Sequence, residues 1–276
     1  MRFAISASIA VFVVLGCGTV NNSGPSGTIA VTGGSLHAQR QIILISPASN
    51  GIRRVTAPDD VVRHDLSPDG SRIALTGFKG IWVVRRDGSH AQRILDEGAA
   101  EIAWSPDGHR LAFAGGDAAL FTISAEGKDL ERVLDDAYQP DWTPDGKRIV
   151  FVRHPARQGG WDGIVSIVGT DGRGLRRIVS SGTWNEPHVS PDGSQVAFDD
   201  SRGIFLAPTK GGPAKLRIRD GHRPAWSPDG RYIAFTRPVH CGEVCASRVF
   251  IVSASGGKAR PYGPVVGDMG PLSWSR

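Results

Sequence analysis

The sequence has little of what usually identifies an enzyme. It contains no G-x-S-x-G elbow, no H-E-x-x-H helix, no phosphate-binding loop and no obvious carboxylate pair, so serine hydrolysis, zinc proteolysis and nucleotide chemistry have no motif to rest on. No stretch carries a helical period. The longest apolar run, Phe3 to Leu15, is thirteen residues, too short to span a bilayer. Cysteine is scarce, with three in 276 residues. The formal charge of +5 is scattered, as at Arg53, Arg54, Arg85, Arg86, Arg176 and Arg177. Such spacing reads as a solvated strand face, and no nucleic-acid motif accompanies it. Glycine, by contrast, is plentiful at 36 residues, and 40% of the chain is hydrophobic. That composition suits one large all-β domain with many turns.

The turns are present, and they repeat. Ser-Pro-Asp-Gly, with Thr for Ser in one copy, begins at Ser67, Ser105, Thr143, Ser190 and Ser227, at spacings of 38, 38, 47 and 37 residues. Proline presets φ for the second position of a type I turn, aspartate tolerates the third, and glycine goes left-handed into the next strand. β-favouring apolar residues flank each copy, as in "AWSPDGHRLAFAG" from Ala103 to Gly115. A second turn follows every copy, at Gly88, Gly127, Gly172, Gly211 and Gly256. Each unit is therefore four strands in about forty residues, the period of a propeller blade.

The two ends complement each other. "PLSWSR" (Pro271 to Arg276) aligns with the first strand of a blade and stops there. "GTIAVTGG" (Gly27 to Gly34) and "IILISPASNGIRRVT" (Ile42 to Thr56) read as the other three strands. The prediction is an all-β, six-bladed β-propeller of four-stranded antiparallel blades over 27–276, its last blade closed by one C-terminal and three N-terminal strands. Closure removes the sheet edge that an open array would expose. The cassette P-x-W-S-P-D-G-x-x-I-A-F resembles the TolB-like, WD-related propeller repeat of exported bacterial proteins. The resemblance covers Gly27 to Arg276 and implies the fold. Propellers of this kind serve as partner-binding platforms, as substrate-gating domains of peptidases and occasionally as enzymes. The family's namesake carries a further N-terminal α/β domain, for which no segment here reads.

Residues 1–16 read as an export signal, with Arg2 ahead of the apolar run. Val14, Leu15, Gly16 and Cys17 resemble a bacterial lipobox, which predicts lipid attachment at Cys17; an ordinary signal peptide is the alternative. Residues 17–26, rich in Gly, Ser and Asn, would then be a flexible tether. Stable anchoring by acyl chains takes two or more of them. The expected location is the bacterial cell envelope, periplasmic or at the cell surface. Export also places Cys241 and Cys245 where disulfides persist, and closing their short loop would contribute roughly 2 kcal/mol. A metal site with His240 is the other reading, but it lacks a fourth evident ligand.

Blade lengths locate the variable surface. From the second strand to the second turn glycine, blades one, two and four take 15, 16 and 15 residues, whereas blades three, five and six take 23, 23 and 22. The excess falls between second and third strands, on the face opposite the tight turns. These insertions offer Arg153, His154, Arg157 and Trp161; Arg237 and His240; and His37 and Arg40. Arginine and tryptophan are enriched at interface hot spots, and longer loops on a rigid scaffold carry binding. A second candidate lies at the channel mouth, where the inner strands begin, with His64, Asp65, Glu101, Asp141, Glu186 and His188. Those residues would bind a cation or polarise a substrate, or would be polar only because the channel holds water. Trp104, Trp142, Trp226 and Trp274 share one repeat position and read as core. The expected function is a non-enzymatic module that binds a protein, glycan or peptide, without cofactor, metal or nucleic acid, and as a monomer. The rival is an envelope hydrolase or lyase at the channel mouth.

Overall fold

The computed structural model describes residues 25–33, 41–49, 51–56, 61–154, 163–179, 182, 184–241, 245–267 and 269–275. Among them every regular element is a strand, and the strands form six four-stranded sheets. The first three are β1 (Thr28–Gly33), β2 (Gln41–Ser46) and β3 (Gly51–Thr56). Blade one is β4 (Val61–Leu66), β5 (Arg72–Gly77), β6 (Gly80–Arg85) and β7 (Gln92–Leu95). Blade two is β8 (Ala99–Trp104), β9 (Arg110–Gly115), β10 (Leu120–Ser124) and β11 (Glu131–Leu134). Blade three is β12 (Tyr138–Trp142), β13 (Arg148–Arg153), β14 (Ile164–Gly169) and β15 (Arg176–Arg177). Blade four is β16 (Asn185–Val189), β17 (Gln195–Asp200), β18 (Gly203–Pro208) and β19 (Lys215–Arg219). Blade five is β20 (His222–Trp226), β21 (Tyr232–Cys241), β22 (Cys245–Ser253) and β23 (Arg260–Val266). The last strand, β24 (Met269–Ser275), pairs antiparallel with β1 and completes the sheet β24-β1-β2-β3. This is the split sixth blade that the two chain ends imply.

The repeated turn has one geometry throughout. In blade one Ser67 Oγ donates to Asp69 Oδ1 at 2.6 Å and accepts the Arg72 N–H at 2.9 Å, while Gly70 N–H closes on the Ser67 carbonyl at 2.8 Å. The glycines stand at φ of 67, 71, 65, 71 and 69° at Gly70, Gly108, Gly146, Gly193 and Gly230, a region a side chain enters only at a cost. Asp69, Asp107, Asp145, Asp192 and Asp229 are all held below the ordinary carboxylate range. For the first four, the largest cause is the hydroxyl each accepts; at Asp229, burial works against the same hydroxyl bond and is outweighed.

Six apolar clusters fill the six seams between neighbouring blades. One joins Ile81 and Val83 of blade one to Leu111 and Phe113 of blade two, and another joins Ala197 and Ile204 of blade four to Ile233 and Phe235 of blade five. Fully burying one such side chain contributes about 1.5–3 kcal/mol. The tryptophans work in the same seams. Trp104, Trp142 and Trp226 are buried, and their indole N–H groups donate to the carbonyls of Asp65, Ala103 and His188 in preceding blades at 3.1, 3.2 and 3.2 Å. Trp274 is half-buried and donates to Ser26 instead.

Blade five differs from the sequence expectation. Its extra residues lengthen β21 to ten residues and β22 to nine, so the insertion is a projecting arm of sheet. β20 stops opposite Thr236, which leaves β21 beyond that point without an inner neighbour. The leader at 1–16, Cys17 with most of the tether, and His37, Arg40, Arg157 and Trp161 lie outside the described residues. So do the side chains of His240, Cys241 and Cys245. The backbone places Cys241 and Cys245 opposite each other at the end of the arm.

Candidate functional site

The channel has two mouths. On the face of the Ser-Pro-Asp-Gly turns it widens into an open funnel of about 950 Å³, ringed by Pro68, Pro106, Pro144, Pro191 and Pro228. At the other end, under the insertion-bearing face, it narrows to a cavity of about 40 Å³ open to the centre of a water-sized sphere. All six channel residues expected from sequence line this cavity, and Arg63, Gln139 and Leu272 join them.

Two repeat positions build it. Four residues before the turn Ser stand Arg63, Glu101, Gln139, Glu186 and Arg223; two before it stand Asp65, Ala103, Asp141, His188 and Ala225. Around the first position the ladder shifts register in all five blades, and Gln139, Glu186 and Arg223 adopt φ of 53, 46 and 54°. Left-handed backbone costs a non-glycine residue about 1–2 kcal/mol. Three such residues at one ring position re-aim polar side chains, as bulges next to sites do.

The second position does structural work. Asp65 Oδ2 accepts the backbone N–H of Trp104 at 2.8 Å, Asp141 Oδ2 that of Val189 at 2.7 Å, and Ser273 Oγ that of Leu66 at 3.1 Å. Each bond joins one inner strand to another blade. His188 Nδ1 lies 3.7 Å from Asp141 Oδ2, and that neighbour partly offsets the burial that raises Asp141. Burial, opposed by the Trp104 N–H, pushes Asp65 up to about 8. Glu101 rises to about 7 through burial and the charge of Glu186. His64 is only 2% exposed and is brought down to about 4 by burial, so it is neutral at pH 7. Its Nδ1 meets Thr32 Oγ1 at 2.5 Å.

The insertion-bearing face is partly drawn together. Arg153 Nη2 lies 3.8 Å from Asp136 Oδ2, and His154 packs edge-on against Tyr138 with centroids 5.0 Å apart. Arg237 donates to the carbonyls of Arg219 and Asp220 at 2.9 and 3.3 Å and lies 5.2 Å from the rings of Phe235 and Phe250. It therefore braces the arm against blade four. Sequence reasoning missed Phe78, 83% exposed at the tip of the β5–β6 turn on this face; its signal was a large apolar residue in the turn "GFKG". It also missed Asp199, buried and pushed up to about 6 by burial, which meets His222 Nδ1 at 3.1 Å. Those two are 23 residues apart, and no motif links them. Among the described residues no three His, Cys, Asp or Glu side chains group as metal ligands.

Comparisons with known proteins agree with the architecture. The structure resembles putative TolB from Agrobacterium tumefaciens (TM-score 0.69, 17% identity, 92% of this chain and 100% of that one). It also resembles a chain of a nidogen/laminin complex (TM-score 0.71, 10% identity, 91% and 99%). An oligogalacturonate lyase from Vibrio parahaemolyticus matches at TM-score 0.59 and 12% identity over 86% of this chain and 78% of that one. In sequence, the tricorn protease homolog 1 of Streptomyces coelicolor is 35% identical over 111 residues, 36% of this chain but only 10% of that protein. The uncharacterized protein Atu1656 of Agrobacterium fabrum is 25% identical over 203 residues, 66% of this chain and 69% of that protein. The family model for the TolB beta propeller domain matches residues 35–206, and the chain belongs to that family.

Proposed function

We propose that the protein is a non-enzymatic binding module of the cell envelope, held at a membrane by lipid on Cys17, whose protein or peptide partner docks on the insertion-bearing face. The observation that carries this reading is the blade-five arm. It projects from the same face as Phe78, at the β21–β22 end that corresponds to the β5–β6 turn of blade one. Arg237 fixes it through two carbonyls, so it is rigid enough to present Val239, which is 43% exposed. Rigid loops with a few apolar and arginine anchors are what interfaces use. A likeness to a propeller of a nidogen/laminin complex fits that use of the fold. A polysaccharide strand is the other ligand such a face would take.

An enzyme at the channel mouth has less support. Asp65 and Asp141 hold other blades by their backbone N–H groups, which leaves them poorly placed to act on a substrate. The test is affinity capture from native envelope extract by the protein and by two variants: one with residues 154–163 replaced by blade one's short turn, one carrying Phe78→Ser. A partner retained by the parent and lost from either variant supports the module. Identical capture by all three overturns the face assigned here.

A further inference from the structure

We infer that the axial cavity recognises a single ammonium group, an α-amine or a lysine side chain that a protein partner inserts from the insertion-bearing face. This rests on the binding-module reading and names the group bound. Three buried polar atoms of lining residues have no hydrogen-bond partner among the described residues: Glu101 Oε2, His64 Nε2 and Arg63 Nε. Glu101 Oε2 is an acceptor, and His64 Nε2 is one when the ring proton sits on Nδ1. His64 is 2% exposed, its Nδ1 meets Thr32 Oγ1, and burial keeps the ring neutral; with the ring proton on Nδ1, the unpartnered Nε2 presents a lone pair. Leaving buried acceptors unmatched is costly, and a ligand that brings N–H donors removes that cost.

Charge points the same way. Glu101 and Glu186 stand at one ring position of the cavity and Arg63 is the one arginine or lysine among the lining residues, while Asp65, which holds its proton to about 8, adds no charge at pH 7. Glu101 and Glu186 repel each other, and a cation between them would turn repulsion into attraction. The shape selects the cation. A metal ion needs several ligands converged at about 2–2.6 Å, and no such group of three forms among the described residues. The cavity of about 40 Å³ has room for a compact cationic head and one or two waters. An ammonium has three donors around a point charge, which suits the two carboxylates, Glu101 and Glu186, that the cavity brings near each other. The left-handed backbone of Gln139 and Glu186, tied by Glu186 N–H to Gln139 Oε1 at 3.1 Å, holds that ring in place.

The test uses three Gly/Ser pentapeptides: one with a free α-amine, one N-acetylated with a single lysine, and one N-acetylated without lysine. Binding to the protein is followed by the indole N–H resonances of Trp104 and Trp142, which bond to the Asp65 and Ala103 carbonyls beside the cavity. A saturable shift with the first or second peptide and none with the third is expected, and which of the two works identifies the source of the amine. Glu101→Gln and Glu186→Gln should each weaken binding by about tenfold or more, as for loss of a charge-assisted hydrogen bond, with the melting temperature as a control for folding. Equal shifts with the third peptide, no shift with either amine at millimolar concentration, or full affinity in both variants would overturn the inference. A partner captured equally by Glu101→Gln but lost from the insertion-face variants would remove the ammonium site and leave the module standing.

Discussion

At the scale of the residue, the channel carboxylates show how one side chain serves the ring and leaves a signature in its titration. Asp65 keeps its proton to about 8 in the folded protein but releases it near 3.8 in the unfolded chain. Between those values the folded state binds the extra proton, so stability falls as pH rises. Glu101 acts in the same direction up to about 7 and Asp199 up to about 6. His64 opposes them: its folded value of about 4 lies below 6.5, so its contribution grows with pH over that interval and is then constant. Above 6.5 the opposing term is complete, and Asp65 and Glu101 still titrate. The melting temperature should therefore drop between pH 6.5 and 8. Asp65→Asn keeps an oxygen for the Trp104 N–H and has no proton to lose, so its profile over that range should be flatter. Calorimetric scans of both proteins check this, and parallel profiles would refute it. The sequence placed Asp65 at the channel from its repeat position. Its bond to Trp104, 39 residues away, was not legible, because it depends on how far each blade is rotated against the next.

At the scale of the element, the five turns were readable because their chemistry is local. Proline, aspartate and glycine set the backbone within four residues, and the hydroxyl completes it: Ser190 Oγ donates to Asp192 at 2.6 Å and accepts Gln195 N–H at 3.0 Å. Ser190→Ala should cost about 1–3 kcal/mol, because it strips a half-buried amide and a carboxylate of their partner at once. Chemical denaturation reads this directly, and Ser190→Thr should restore most of it, since Thr143 makes the same bonds at 2.5 and 3.1 Å. A loss equal in both variants would show that the hydroxyl is not what matters. Two other features escaped the sequence. The extra residues of blade five could be counted, but whether they loop or extend the sheet depends on pairing across the hairpin. The left-handed backbone at Gln139, Glu186 and Arg223 has no glycine to announce it, and it arises where strands must bend to meet the channel.

At the scale of the whole molecule, closure is the property that the sequence announced most clearly, since two incomplete cassettes at the ends add up to one blade. The physical reason to close is the seam. Without β24, Leu272 is gone from the cluster it shares with Ile29 and Ala225, the Leu66 N–H loses Ser273 Oγ, and β1 becomes an exposed edge. Deletion of residues 271–276 should therefore abolish cooperative unfolding. That outcome alone would not separate closure from the loss of buried area, and a circular permutant does. Thr28 and Ser275 are paired across β1 and β24, the register that Arg110 and Ser105 hold around a complete turn in blade two. Inserting Pro-Asp-Gly between Ser275 and Gly27 thus rebuilds the turn of the other five blades, and new ends can be opened between Thr56 and Val61. The permutant keeps every seam and replaces the non-covalent closure with a covalent one. It should melt cooperatively and no lower than the parent, because joining the ends lowers the entropy of the unfolded chain. If it instead unfolds like the truncation, blade six is held by the particular conformation of its split ends, and closure through β24 is not the source of the ring's stability.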